Sequence, residues 1–118
     1  MTCPPLRAWW REDGKVTSDF AWSQLGLAFP PLDLTGETAG RIIAQHLASP
    51  AMWAVFPVQD LLAMDETLRH PDPAAERINV PAIMPYYWRY RMHLGVEQLA
   101  AADEFNAQLR AMIVGSGR

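Results

Sequence analysis

One stretch, residues 77–91, gathers the side chains of this chain best suited to holding a ligand. It carries Tyr86, Tyr87, Tyr90 and Trp88, three arginines (Arg77, Arg89, Arg91) and Asn79, with Pro81 and Pro85 interrupting the run. Aromatic faces offer flat apolar area, and guanidinium and amide groups offer planar hydrogen bonding at its rim. A ligand that matches has flat apolar patches edged by polar groups. A sugar ring fits that description, and so does a nucleobase. The formal net charge of −3 argues against general nucleic-acid binding, which calls for a basic excess.

Other reactive side chains are arranged less tellingly. His46, His70 and His93 show no metal-ligand spacing, and Cys3 has no histidine near it in sequence, so zinc and cysteine chemistry are not expected. A single cysteine excludes an internal disulfide and fits a reducing compartment. The adjacent acids Glu12-Asp13 and Asp65-Glu66 fall at expected helix ends. They read as caps or solvated charge, because helix neighbours do not face each other as a catalytic pair must.

The elements that must position the aromatic stretch follow from periodicity and breakers. Residues 6–13 read as a short helix between Pro4-Pro5 and Gly14, and residues 18–25 as a second. Residues 35–48 give the clearest early helix, with Thr35 as N-cap, a stripe of Ala39, Ile42, Ile43 and Leu47, and a stop at Ser49-Pro50. Residues 51–56 are a near-continuous apolar run, short enough for a buried strand that ends at Pro57. A short helix or helical turn is expected over 58–68 and a loop over 69–86. A last helix is expected over 96–114, ended by Gly115-Ser116-Gly117. A buried strand needs neighbours, so one strand among several helices points to a piece of a larger α/β fold.

Composition sets the outer limits. At 118 residues, half of them hydrophobic and 19% charged, the chain is one domain or part of one and can build a core. No apolar run approaches the roughly 20 residues of a membrane span, and the start does not resemble a signal peptide. A soluble, cytoplasmic protein is expected, with no membrane partner. Five tryptophans and ten prolines are many for so small a domain. Some indoles then line a binding surface or pack against further protein.

Three blocks carry a family resemblance: residues 6–13 (Leu-Arg-Ala-Trp-Trp-Arg-Glu-Asp), residues 49–64 from Ser49-Pro50 through Gln59-Asp60 to Met64, and Arg77-Ile78-Asn79-Val80-Pro81 with Tyr87-Trp88-Arg89-Tyr90-Arg91. In order and spacing these resemble the C-terminal part of the 4-alpha-glucanotransferases, the amylomaltases or disproportionating enzymes of glycoside hydrolase family 77. The branch most resembled is that of plant cytosol and Bacteroides-like bacteria, whose ending Ser-Gly-Arg is matched by Ser116-Gly117-Arg118. The resemblance covers essentially the whole chain. It implies the C-terminal segment of a (β/α)₈ barrel, here mostly helical with one or two short strands, as a single segment over 1–118. It implies retaining transfer of an α-1,4-glucan segment between maltooligosaccharides by paired carboxylates, without metal or organic cofactor.

The same resemblance implies that the catalytic carboxylates are not in this chain. The family's third carboxylate belongs to a His-Asp pair just before the Leu-Arg-x-Trp-Trp block, where this sequence reads Met1-Thr2-Cys3-Pro4-Pro5. The isolated chain is therefore expected to be inactive, marginally stable and prone to self-association. Asn79 matches a glucan-facing asparagine on the acceptor side; its alternative is a loop amide bonded to its own backbone. Trp88 matches a family tryptophan, with stacking and core packing both open, and Tyr87 replaces the usual asparagine before it. Ala82 replaces a usual glycine. Gln59 and Asp60 would lie at the catalytic end of the barrel, Asp60 either orienting a neighbouring group or serving as a helix N-terminal acid. Arg89 and Arg91 pair with carboxylates, stack on rings, or face solvent. The alternative for the whole chain is an autonomous, non-catalytic helical module that binds glucan or a protein partner.

Overall fold

The computed structural model describes residues 4–85 and 87–118; Met1 to Cys3 and Tyr86, and with them the thiol and one loop tyrosine, lie outside the described residues. Helix α1 (Leu6–Glu12) follows Pro5, which brings no capping side chain. The cap comes from far along the chain: Asp60 Oδ1 accepts the Leu6 N–H at 2.8 Å. Helix α2 (Gly14–Leu25) begins at once, earlier than the expected residue 18. Asp13 is the reason, since its carboxylate accepts from the N–H groups of Lys15 and Val16 and so turns Gly14 from a stop into a first residue. Gly26, at φ 67°, closes α2. Its N–H and that of Leu27 bond back to Trp22 and Ala21 in a Schellman arrangement.

Helix α3 (Gly36–Leu47) starts where its sequence predicts, with Thr35 Oγ1 accepting the Thr38 N–H. Its buried stripe of Ala39, Ile42, Ile43 and Leu47 packs between the short helix α4 (Val58–Leu62) and the C-terminal helices. The approach to the end of α4 is close. A Cβ on Gly36 would stand 2.5 Å from the Met64 carbonyl oxygen, so no larger residue fits there without moving backbone. Trp10, Leu25, Leu34, Leu62, Met64 and Phe105 complete the core.

Two expectations are corrected. Residues 51–56 form no strand, and none occurs among the described residues. Ala54 and Phe56 pack on the core, while Met52, Trp53 and Val55 are 84%, 78% and 85% exposed. Trp53 to Phe56 alternate outward and inward, but Met52 breaks that period, and among the described residues no neighbouring strand supplies a ladder. Arg118 holds the start of this segment, its guanidinium donating to the carbonyls of Leu47, Ser49 and Ala51 at 2.9, 3.0 and 2.7 Å.

The expected helix 96–114 is broken into α5 (Val96–Ala100) and α6 (Asp103–Gly115). Ala102 leaves helical geometry at φ −80°, ψ 66°, and Asn106 Nδ2 takes up the Leu99 carbonyl at 2.8 Å. The run Leu99-Ala100-Ala101-Ala102 is a good helix former, so packing overrides propensity here. Leu99, Phe105, Leu109 and Met112 all reach the core. Among the described residues no helix is long and apolar enough to cross a membrane.

Candidate functional site

The aromatic loop stands on a buried polar base. Arg7, on the inner face of α1 three residues before the core indole of Trp10, donates from Nη1 to Glu76 Oε1 at 2.8 Å and to the His70 carbonyl at 2.7 Å. Glu76 closes the 3₁₀ turn Pro73–Glu76 and is only 1% exposed. Its backbone carbonyl accepts from the buried Gln59 Nε2 at 3.3 Å. Its second oxygen, Oε2, has no partner among the described residues. Burial holds the Glu76 carboxyl above its ordinary range; the Arg7 hydrogen bond and charge pull it back only in part, and the nearby Asp60 charge pushes it up again.

The far end of the loop returns to the same base. Tyr90 is half-buried, and its hydroxyl is shifted upward first by burial and then by the Glu76 charge. Three residues on, His93 Nε2 donates to the Leu68 carbonyl at 2.6 Å, and its ring lies edge-on to that of His70 at 4.8 Å. A donating Nε2 leaves Nδ1 bare in the neutral ring; it is buried without a partner among the described residues. Residues 77–89 thus form a loop held at its start by Glu76 and at its close by Tyr90 and His93.

Between those anchors the loop faces outward. Tyr87 and Trp88 are 67% and 68% exposed, so Trp88 is not a core residue. The Arg89 guanidinium lies over the Tyr87 ring, 4.7 Å from its centre, which stiffens the ring as a platform. Asn79 is half-buried. Its amide is not engaged by any described residue, the self-bonded alternative included. Ile78 and Ile83 add apolar area on the same loop. An open aromatic ledge with a free amide can hold a flat polyol. Glu76, the carboxylate at the base of the loop, is sealed inside.

Gln59 and Asp60 sit one level down. Gln59 ties α4 to the loop's start, and Asp60 ties α4 to α1. The expectation that Asp60 is a helix N-terminal acid holds for its place in the first turn of α4, yet its carboxylate caps a different helix. Burial raises its proton affinity, with the Leu6 N–H and the His46 charge opposing. Asp60→Ala is expected to cost about 1 kcal/mol of stability, the usual loss of a helix cap. Asp60→Asn keeps an acceptor and removes a half-buried charge, so it costs less. Urea denaturation compares the two, and an asparagine variant as weak as the alanine one would refute the capping role.

Arg7 and Glu76 were not candidates from the sequence. One signal was present: Arg7 shares a helix face with Trp10, and a charge on a buried stripe calls for a buried partner. Asp13 caps α2, whereas Asp65 caps no helix and instead holds a turn, accepting from the Thr67 N–H, the Thr67 hydroxyl and the Leu68 N–H. No group of three or more His, Cys, Asp and Glu side chains among the described residues could hold a metal ion.

Comparison with known proteins identifies the lineage. Residues 3–97 match the family described as 4-alpha-glucanotransferase, and the chain belongs to that family. It is 38% identical to the 4-alpha-glucanotransferase DPE2 of Oryza sativa subsp. japonica over 117 residues, which is 98% of this chain but 12% of the rice protein. It is 30% identical to the 4-alpha-glucanotransferase of Chlamydia caviae over 105 residues, 88% of this chain and 19% of that protein. The Chlamydia muridarum enzyme of the same name is 29% identical over 108 residues, 91% of this chain and 20% of its own length. The chain therefore spans a fifth or less of these relatives. No solved structure matches it.

Proposed function

We propose that this chain is an acceptor-side segment of a (β/α)₈-barrel 4-alpha-glucanotransferase acting on α-1,4-glucans. The observation that carries this is the anchored loop, whose exposed Tyr87 and Trp88 and unengaged Asn79 amide rise from a rigid base. In the whole enzyme a carboxylate from outside these residues attacks the anomeric carbon, while a carboxylic acid about 5–5.5 Å away protonates the leaving glycosidic oxygen. The same acid, now a base, takes the proton of the acceptor's 4-hydroxyl as that oxygen displaces the enzyme carboxylate. Trp88 and Tyr87 stack on the apolar C–H faces of the acceptor's glucose rings, and Asn79 bonds their hydroxyls. Gln59 and Asp60 act through the base beneath and position the loop. The exposed apolar side chains of Met52, Trp53 and Val55 support the barrel reading, because so much bare apolar area suits contact with further protein.

One observation favours an autonomous module: the chain closes a core from its own helices, Trp10 through Phe105. Tryptophan fluorescence titration with maltoheptaose tests the shared claim. Trp88→Ala is expected to weaken binding on the order of tenfold, the scale of about 1–3 kcal/mol per aromatic-stacked ring measured for nucleobases. Asn79→Ala is expected to weaken it less. Equal affinity in all three proteins would remove the loop from the glucan site. Incubation with maltotriose separates the rest: longer and shorter oligomers made by this chain alone would show that the carboxylates are not elsewhere.

A further inference from the structure

A second concave site opens beside α1. It is a cleft of about 330 Å³ whose walls include Arg7, Arg11, Arg69 and Asp33, with Pro71 and Pro73 on its rim. Arg7 and Arg11 are four residues apart and share a helix face; Arg69 arrives from the turns after α4. Each guanidinium has an acidic partner, Glu76 for Arg7, Asp33 for Arg11 and Glu66 for Arg69, but of the three carboxylates only Asp33 lines the cleft, so the cleft wall itself presents guanidinium groups whose countercharges lie mostly behind it.

The three groups are already oriented. Arg69 is fixed by donating to the Leu34 carbonyl at 2.7 Å and to Glu66 at 3.4 Å. Arg7 is fixed from behind by Glu76, which does not line the cleft. Arg7 spends only Nη1 on these contacts and Arg11 only Nε, leaving donors on both. The Arg11–Asp33 pair, at 3.0 Å, is largely solvent-exposed. Such a pair contributes little to stability and exchanges readily for a better anion. Guanidinium forks match the oxygens of a tetrahedral oxyanion two at a time. The volume stands at the lower end of small-molecule pockets, about 300–1,000 Å³, which leaves room for a ring beside the anion.

We propose that this cleft binds a phosphate-class oxyanion, free or carried as a sugar monoester. The cleft shares Arg7 with the base of the aromatic loop but none of the loop residues 77–91, so the proposal stands whether or not the loop holds acceptor sugar. Asp33 acts in it as a gate: it neutralises Arg11 when the cleft is unoccupied and is displaced by the ligand.

Isothermal titration of the full chain with inorganic phosphate, glucose 6-phosphate and glucose, at constant ionic strength, tests this. Saturable binding of either phosphate is expected. A tighter monoester assigns the cleft to a phosphorylated sugar, and equal or tighter inorganic phosphate assigns it to the free anion. Arg11→Gln is expected to weaken binding about fivefold or more. Asp33→Asn is expected to tighten it, because the competing carboxylate is gone, and a merely structural Asp33 would not give that sign. Both changes are on exposed side chains and leave the core intact. Absence of saturable phosphate binding, glucose binding as well as its phosphate, or affinities unmoved by both substitutions overturns the proposal.

Discussion

Arg7→Met is expected to lower the free energy of unfolding by about 3–5 kcal/mol at neutral pH, because it strands a buried carboxylate. Glu76 is 1% exposed, and among the described residues its carboxylate bonds only Arg7, 2.8 Å from Oε1. For a domain whose total stability is about 5–15 kcal/mol, such a loss brings the protein close to unfolding. The double substitution Arg7→Met, Glu76→Leu is expected to recover most of it, since a buried pair exchanged for apolar groups of similar size is often neutral.

The pH dependence carries the diagnostic sign. Burial raises the Glu76 carboxyl above its ordinary range, so the folded chain holds that proton at pH values where the unfolded chain has released it. Stability therefore falls as pH rises from the ordinary carboxylate range through the folded value. Asp60, also raised by burial, has the same sign. Asp65 is lowered, chiefly by the Thr67 hydroxyl, and has the opposite sign, its contribution being lost as pH falls. Without Arg7 the Glu76 value climbs further, and protonation then relieves the stranded charge. The Arg7→Met deficit should thus shrink on acidification in urea melts run across the weakly acidic range. A deficit that does not change with pH, or a double variant as weak as the single, would contradict the buried-pair account.

This pair also shows where the sequence stops being legible. Helix α3 could be read because its cap, stripe and stop all lie within its own residues. The aromatic loop could be read because its chemistry is concentrated in one stretch. Arg7 and Glu76 are 69 residues apart, and Asp60 caps Leu6 from 54 residues away; nothing local records either contact. The break at Ala102 falls in a run of good helix formers, where only packing decides. Residues 51–56 have the length and apolar composition of a buried strand, but a ladder is a property of two segments. In the structure only Ala54 and Phe56 of this run reach the core.

Trp10→Ala is expected to cost about 3–5 kcal/mol, the range for removing a fully packed large aromatic. The indole is 1% exposed, and its Nε1–H donates to the Pro31 carbonyl at 2.9 Å. Alanine removes that bond and leaves a void where α1 meets α2 and the 26–35 connection. The neighbouring Trp9 is half-buried and meets Phe20 edge-to-face at 5.4 Å; its alanine variant should lose less, about 1–2 kcal/mol, for half the burial and one aromatic pair. Trp22, on the exposed side of α2, should lose within about 0.5 kcal/mol. Denaturant midpoints for the three variants should therefore rank 10, 9, 22, and a Trp22 variant as damaged as Trp10 would place an unrecognised contact on that face. Trp53→Ser extends the series to the proposed function. In this chain its ring touches little, so the substitution should be as mild as Trp22→Ala. If, as proposed, Met52, Trp53 and Val55 meet neighbouring elements of a barrel, the same substitution in the longer protein should approach the cost of Trp10→Ala. A large loss there beside a negligible one in the 118-residue chain would support that reading, and equal mild losses would refute it.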